Sequence, residues 1–171
     1  MNVHFIPLEE RYQKALEEAK QKLASLDVTC GRPINVKGLS GWVFEQTVRT
    51  CLEEELNERG ITVTIQEQVS IGGRATIDFL VGAIAIEVKA AGFFSDDDGA
   101  RYSTYRKRAE ANGWHYLYLT LCETHRPYVE SARKSFGDDK AFFLDQKDSW
   151  LRLVATVVRL LGSGPQVPQG G

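Results

Sequence analysis

Between Arg74 and Ala90 the chain reads RATIDFLVGAIAIEVKA, and three ionisable residues, Asp78, Glu87 and Lys89, sit in it among apolar neighbours. With Val81 and Gly82 as the two-residue loop of a hairpin, Asp78 faces Ala85 and Ile77 faces Ile86. Side chains alternate along a strand, so Ile77, Phe79, Ile84, Ile86 and Val88 turn towards a core, while Asp78, Ala83, Ala85, Glu87 and Lys89 share the opposite face. Asp78 and Glu87 become diagonal neighbours, roughly 7–8 Å apart at the backbone. Carboxylates that close repel unless a cation or a proton lies between them. Mg²⁺ suits such a pair, because it binds one or two carboxylates, keeps several waters and accepts a substrate phosphate. Lys89 would stand beside the ion, to orient an attacking water or offset charge developing on the phosphate, and Ala83 and Ala85 leave room for that phosphate. A solvated sheet face carrying one salt bridge explains the same three residues without chemistry.

A second carboxylate bears on this site. A helix predicted from Ser40, its N-cap, to Arg59, with Gly60 as its stop, aligns Phe44, Val48, Cys51, Leu52 and Leu56 in one stripe. At about 100° per residue Glu45 falls on that stripe, and an inward carboxylate needs a partner. Glu55 also projects near the stripe, close to the helix end, where escape to water is easy.

The elements that must hold these residues follow from periodicity. Leu8, Tyr12, Ala15, Leu16, Ala19, Leu23 and Leu26 recur at helical spacing after Pro7, predicting a first amphipathic helix. Strands are predicted at Ile61–Val69, Arg74–Leu80 and Ala83–Lys89, with a turn at Gly72-Gly73. A loop over 92–98 follows, with Ser95 and Asp98 as a weak capping pair, and then a helix from Gly99 to Asn112 that stops at Gly113. Trp114–Cys122 reads as a fourth strand, Pro127–Phe136 as a helix, Ala141–Leu144 as a short edge strand and Ser149–Leu161 as a last amphipathic helix. The order αβββαβαβα predicts an α/β domain on a mixed sheet of four to five strands flanked by helices. We expect one domain over 1–161, made of an N-terminal helix and connection (1–36), a core (37–122) and C-terminal elements (123–161), with a disordered tail at 162–171.

Asp78, eight residues, then Glu87-Val88-Lys89 resembles the signature of the PD-(D/E)xK nuclease superfamily, with its restriction-endonuclease-like fold. Lys37-Gly38, Phe44-Glu45-Gln46-Thr47-Val48, Leu56 and Gly60 are similar to the first helix of archaeal Holliday-junction resolvases and Mrr-like restriction enzymes. The resemblance covers about half the chain, from Lys37 to Cys122, and departs from the signature at Ile77, where a proline would stand. It implies that Asp78 and Glu87 are the central metal ligands, that the backbone carbonyl of Val88 is a further ligand and Glu45 an auxiliary one, and that Lys89 orients water or stabilises charge. Asp78, Glu87 and Lys89 would then be the catalytic residues of a Mg²⁺-dependent nuclease, Mn²⁺ substituting, that hydrolyses phosphodiester bonds in DNA.

The rest of the sequence limits this reading. Twenty-one Lys and Arg against 23 Asp and Glu give a net charge of −2, so any nucleic-acid contact must come from a local patch. The acid-free run Arg101, Tyr102, Tyr105, Arg106, Lys107 and Arg108 is the candidate patch, with Arg101, Tyr105 and Arg108 sharing a helix face. A plain solvated helix face explains it equally well. Asp96-Asp97-Asp98 reads as loop solvation and helix capping. Cys30, Cys51 and Cys122 form no metal-ligand spacing and read as buried free thiols of a reducing, cytoplasmic compartment, and His4, His115 and His125 form no dyad. No apolar run is long enough to span a bilayer, so no membrane partner is expected. Cutting both strands of a duplex takes two sites, so a homodimer is expected, joined through Trp150, Val154, Val157, Val158 and Leu161 or through the first helix, although core packing accounts for either face. The alternatives are a catalytically inactive nucleic-acid-binding or assembly subunit on the same scaffold, and an α/β enzyme for a small phosphorylated metabolite.

Overall fold

The computed structural model describes residues 8–30, 38–90, 96–121, 133–137, 139–144 and 148–163. Pro7, Lys37, the Ser95 cap, Cys122, His4, His125, the start of the helix placed at Pro127 and the tail after Ser163 lie outside them.

Two helices, α1 (Leu8–Cys30) and α2 (Leu39–Glu58), precede three strands, β1 (Ile65–Ser70), β2 (Thr76–Val81) and β3 (Ile84–Lys89). Helix α3 (Asp96–Ala111) leads to β4 (His115–Thr120), and β5 (Ala141–Phe143) and helix α4 (Ser149–Gly162) follow, with residues 133–136 helical between β4 and β5. The strands form one sheet in the order β1-β2-β3-β4-β5. The first three pair antiparallel, as tight turns allow, and β3, β4 and β5 pair parallel, which requires a crossover such as α3. The chain is therefore an α/β protein with a mixed five-stranded sheet flanked by helices. No described helix is long and apolar enough to cross a membrane.

Each sheet face covers its own core. Phe79, Val81, Ile84, Ile86, Val88, Leu117 and Leu119 pack against Phe44, Val48, Leu52 and Leu56 of α2 and Trp150, Val154 and Val157 of α4. Helix α1 adds Leu8 and Tyr12, whose ring meets that of Phe44 edge-on at 5.3 Å. On the other face Leu80, Ala85, Tyr116, Tyr118 and Phe143 pack against Tyr102 and Ala109 of α3 and against Phe136. Of the apolar stripes of α1 and α4, expected as possible dimer contacts, Leu8, Tyr12, Trp150, Val154 and Val157 are spent inside the chain, while Leu26 is half-exposed. Cys51 is a buried free thiol, and burial pushes its pKa up to about 11.

Several expectations need correction. Helix α2 starts at Leu39, with Gly38 rather than Ser40 as N-cap, at φ +75° and without a side-chain capping bond. Glu55 does not escape to water: it is buried and Arg59, one turn on, folds back to pair with it. Strand β1 begins at Ile65, not Ile61, because Ile65 lies opposite Val81 and β2 turns away at the next residue. The β2–β3 turn is Gly82-Ala83 rather than Val81-Gly82, since Val81 pairs with Ile84, Leu80 with Ala85 and Phe79 with Ile86. Glycine at the first central position, with φ +60°, is what a II′ hairpin turn selects. Moving the turn by one residue changes every partner by two, which is the side-chain period, so the shared face of Asp78, Glu87 and Lys89 survives. Ile77 does not follow Phe79 into the α2-side core; it joins the α3-side core.

Candidate metal and phosphate site

The β2–β3 ladder stops at Phe79↔Ile86, and the next residues on the two strands are Asp78 and Glu87. Where the strands part, the Asp78 carboxylate takes over as acceptor: Val88 N–H donates to Asp78 Oδ2 at 2.7 Å. Lys89 Nζ donates to the same oxygen at 3.2 Å and lies 2.7 Å from Glu87 Oε1. Both acids are buried, Asp78 at 6% and Glu87 at 2% exposure. Glu87 Oε2 is buried without a hydrogen-bond partner.

The electrostatics follow from this crowding. Burial, and then the nearby Asp78, raises the Glu87 pKa to about 7. Burial opposes the Lys89 ammonium, but Glu87 and Asp78 together outweigh it and hold its pKa above the usual lysine value. Half-buried Glu45 on α2 is raised as well, by burial first and by Asp78 second, with Lys89 pulling the other way. Its carboxyl therefore lies within the field of the pair. Glu45 does not complete a ready-made ligand shell: among the described residues no group of three or more His, Cys, Asp and Glu side chains is set to hold an ion.

Residues that the sequence did not single out complete the site. Gln68 Nε2 donates to Asp78 Oδ1 at 3.3 Å, and Thr76 Oγ1 donates to Gln68 Oε1 at 3.2 Å. Thr76 stands two residues before Asp78, so strand alternation alone could have placed it on this face; Gln68 arrives only through β1–β2 pairing and had no local signal. Tyr102 lies below, with its ring centroid 5.8 Å from Lys89 Nζ and 5.7 Å from Arg101 Cζ. Burial pushes its phenol pKa up to about 12. Thr76, Asp78, Glu87, Lys89, Arg101, Tyr102 and Tyr105 together line an open cavity of about 170 Å³.

The basic run on α3 divides. Arg101 and Tyr105 stand at the cavity, where Arg101 also pairs with Asp98 at 3.1 Å. Arg106 donates to the Ser135 carbonyl and faces Glu110, and Arg108 donates to the Gly72 carbonyl at 2.8 Å. Lys107 is exposed. The five residues do not form one phosphate-binding face, because Arg106 and Arg108 tie α3 to neighbouring backbone. His115 is exposed at the start of β4 and takes no part. A larger groove of about 630 Å³ runs between α1 and α2 beside the exposed Trp42, but its charged walls mix Lys14 and Lys22 with Glu10 and Glu18.

No protein-family model, no curated protein and no solved structure matches the chain. The arrangement must be read from its own chemistry. Two buried carboxylates offer hard oxygens, one of them unpartnered, beside an ammonium and an opening wide enough for a phosphate, and that donor set fits a small divalent cation.

Proposed function

We propose that this chain is a Mg²⁺-dependent nuclease of the PD-(D/E)xK type, with the restriction-endonuclease-like fold, that hydrolyses phosphodiester bonds in DNA. The observation that carries the reading is the meeting of Asp78, Glu87 and Lys89 within 3.2 Å, with Glu87 Oε2 buried and unpartnered. Asp78 and Glu87 are the ion's carboxylate ligands, joined by the Val88 carbonyl and by Glu45 in an auxiliary position. When bound there, Mg²⁺ supplies Lewis acidity towards water and positive charge against the phosphate.

The chain's own groups do the remainder. Lys89, held between the acids with its pKa raised, stays protonated through the neutral range and can donate to a phosphate oxygen or to water. Lys89 now pairs with the same Asp78 and Glu87 oxygens that would hold the ion, and with that ion in place its ammonium would be available to substrate. Arg101 at the rim offers a phosphate contact that positions a strand without reading its bases. A homodimer would supply two sites for a duplex.

A second reading has an observation of its own. The Lys89 bridge already neutralises both acids in part, as it would in a catalytically inactive nucleic-acid-binding or assembly subunit. Incubation of plasmid and oligonucleotide DNA with Mg²⁺ or Mn²⁺ separates the two, comparing the native chain with Asp78→Ala and Lys89→Ala. Cleavage by the native chain that both variants lose supports the nuclease. Binding without cleavage in either metal supports the second reading and ends the first.

A further inference from the structure

The β1–β2 ladder keeps one register throughout but is interrupted at a single position. Glu67 pairs with Phe79 and Val69 with Ile77, but Gln68 between them is unpaired and carries φ +50°. Among the described residues only Gln68 and Asp148 are non-glycines with positive φ. That backbone state costs about 1–2 kcal/mol in an ordinary side-chain-bearing residue and persists where the surroundings hold it, often at functional sites. On one side of the interruption Phe79 faces α2, whereas on the other both Val69 and Ile77 join the α3-side core. Beyond it Arg108 of α3 holds the Gly72 carbonyl. In the shared register Gln68 stands directly opposite Asp78.

We propose that Gln68 is the positioning residue of this site. Its amide, oriented by Thr76, fixes Asp78 Oδ1 and so keeps Oδ2 turned towards Val88 and Lys89. The proposal rests on the nuclease reading, because the task it gives Gln68 is to present Asp78 to a divalent ion. The left-handed backbone is part of the device. An extended residue would continue the ladder, whereas here the ladder breaks at the point where the Gln68 amide meets Asp78 and Thr76. Val88 N–H and the Lys89 ammonium both hold Oδ2, and the Gln68 amide is what holds Oδ1, so that both oxygens of the carboxylate are fixed.

Gln68→Gly separates position from stability, because glycine accepts φ +50° freely while the amide is lost. Its melting temperature should equal or exceed that of the native chain. Its affinity for Mn²⁺, measured by calorimetry with the metal alone, should fall about tenfold, the usual effect of losing a residue that orients a metal ligand. On DNA, kcat should fall with it while KM stays within twofold. Thr76→Val, which keeps Gln68 in place and removes only its aim, should weaken Mn²⁺ binding in the same direction by about threefold. Mn²⁺ affinity within twofold of native in Gln68→Gly overturns the proposal. A native chain that neither binds Mn²⁺ nor cleaves DNA ends the nuclease reading instead, and crystal structures of native and Gln68→Gly chains then decide the positioning role. An Asp78 carboxylate that leaves Val88 N–H supports it; one that stays overturns it.

Discussion

The two faces of the sheet are built from the same strands yet by different chemistry. Towards α2 and α4, Phe79, Val81, Ile84, Ile86 and Val88 meet apolar side chains, and this core holds no acid–lysine cluster. Towards α3 the same strands present Asp78, Glu87 and Lys89 beside Tyr102, Tyr116 and Tyr118, and the Tyr116 hydroxyl is buried without a hydrogen-bond partner. Apolar burial yields roughly 25 cal/mol per Å², and both faces supply it. Burying charge costs free energy unless it is paired, so the second face offsets part of its own apolar gain to hold a charged, shaped site. Strand alternation divides the two faces along β3, while on β2 Ile77 joins the α3 side beside Asp78.

The largest test of that separation is Asp78→Asn. It should lower cleavage about 10³-fold, as loss of a transition-state charge contact does, while moving the midpoint of urea unfolding little. A large loss of stability instead would mean that the α3 face is structural. Leu52→Ala should do the reverse on the α2 face. Deleting this fully buried side chain costs about 3 kcal/mol in chemical denaturation and leaves kcat per folded molecule unchanged.

The third test uses pH on the metal-free chain. Glu87 titrates near 7 in the fold against 4.5 for a free side chain, so between those values the folded state holds a proton that the unfolded state has released. The stability it contributes is full below pH 4.5 and is lost as pH rises through 7, a fall of about 3 kcal/mol. Melting curves from pH 4.5 to 8 should show the decline, and Glu87→Gln should flatten it; a flat native profile would show that Lys89 compensates Glu87 fully. The smallest effect is expected at the hairpin turn. Gly82→Ala should cost about 1 kcal/mol in thermal unfolding, mainly from φ +60°, because the Leu161 methyl that its Cβ would meet at 2.9 Å is a flexible side-chain end. It should leave metal affinity intact, since the turn lies beyond the ladder from the site.

Much of this was legible because it depends on period. Helix α4 repeats its apolar residues every three to four positions and β3 alternates, and the elements follow where expected. The shared face of Asp78, Glu87 and Lys89 followed from parity and outlasted a misplaced turn. Gln68 was illegible because the Gly72-Gly73 turn brings β1 beside β2 but implies a register one residue away from the observed one, which alone sets Gln68 opposite Asp78. Arg108 misled for a related reason: its spacing from Arg101 and Tyr105 suggests a common phosphate-binding face, but the Gly72 carbonyl claims it, as the Ser135 carbonyl claims Arg106.

The sequence by itself determined the α/β class, the side of the hairpin on which the acids and the lysine lie, and the apolar stripes, since each depends only on the 3.6- and 2-residue repeats of the backbone. Tertiary structure alone decided that Asp78 lies opposite Glu87 rather than diagonal to it, that Lys89 binds both, and that Gln68 and Tyr102 close around them. Those contacts depend on turn register and on strands and helices distant in the chain, and no local repeat encodes the distances between them.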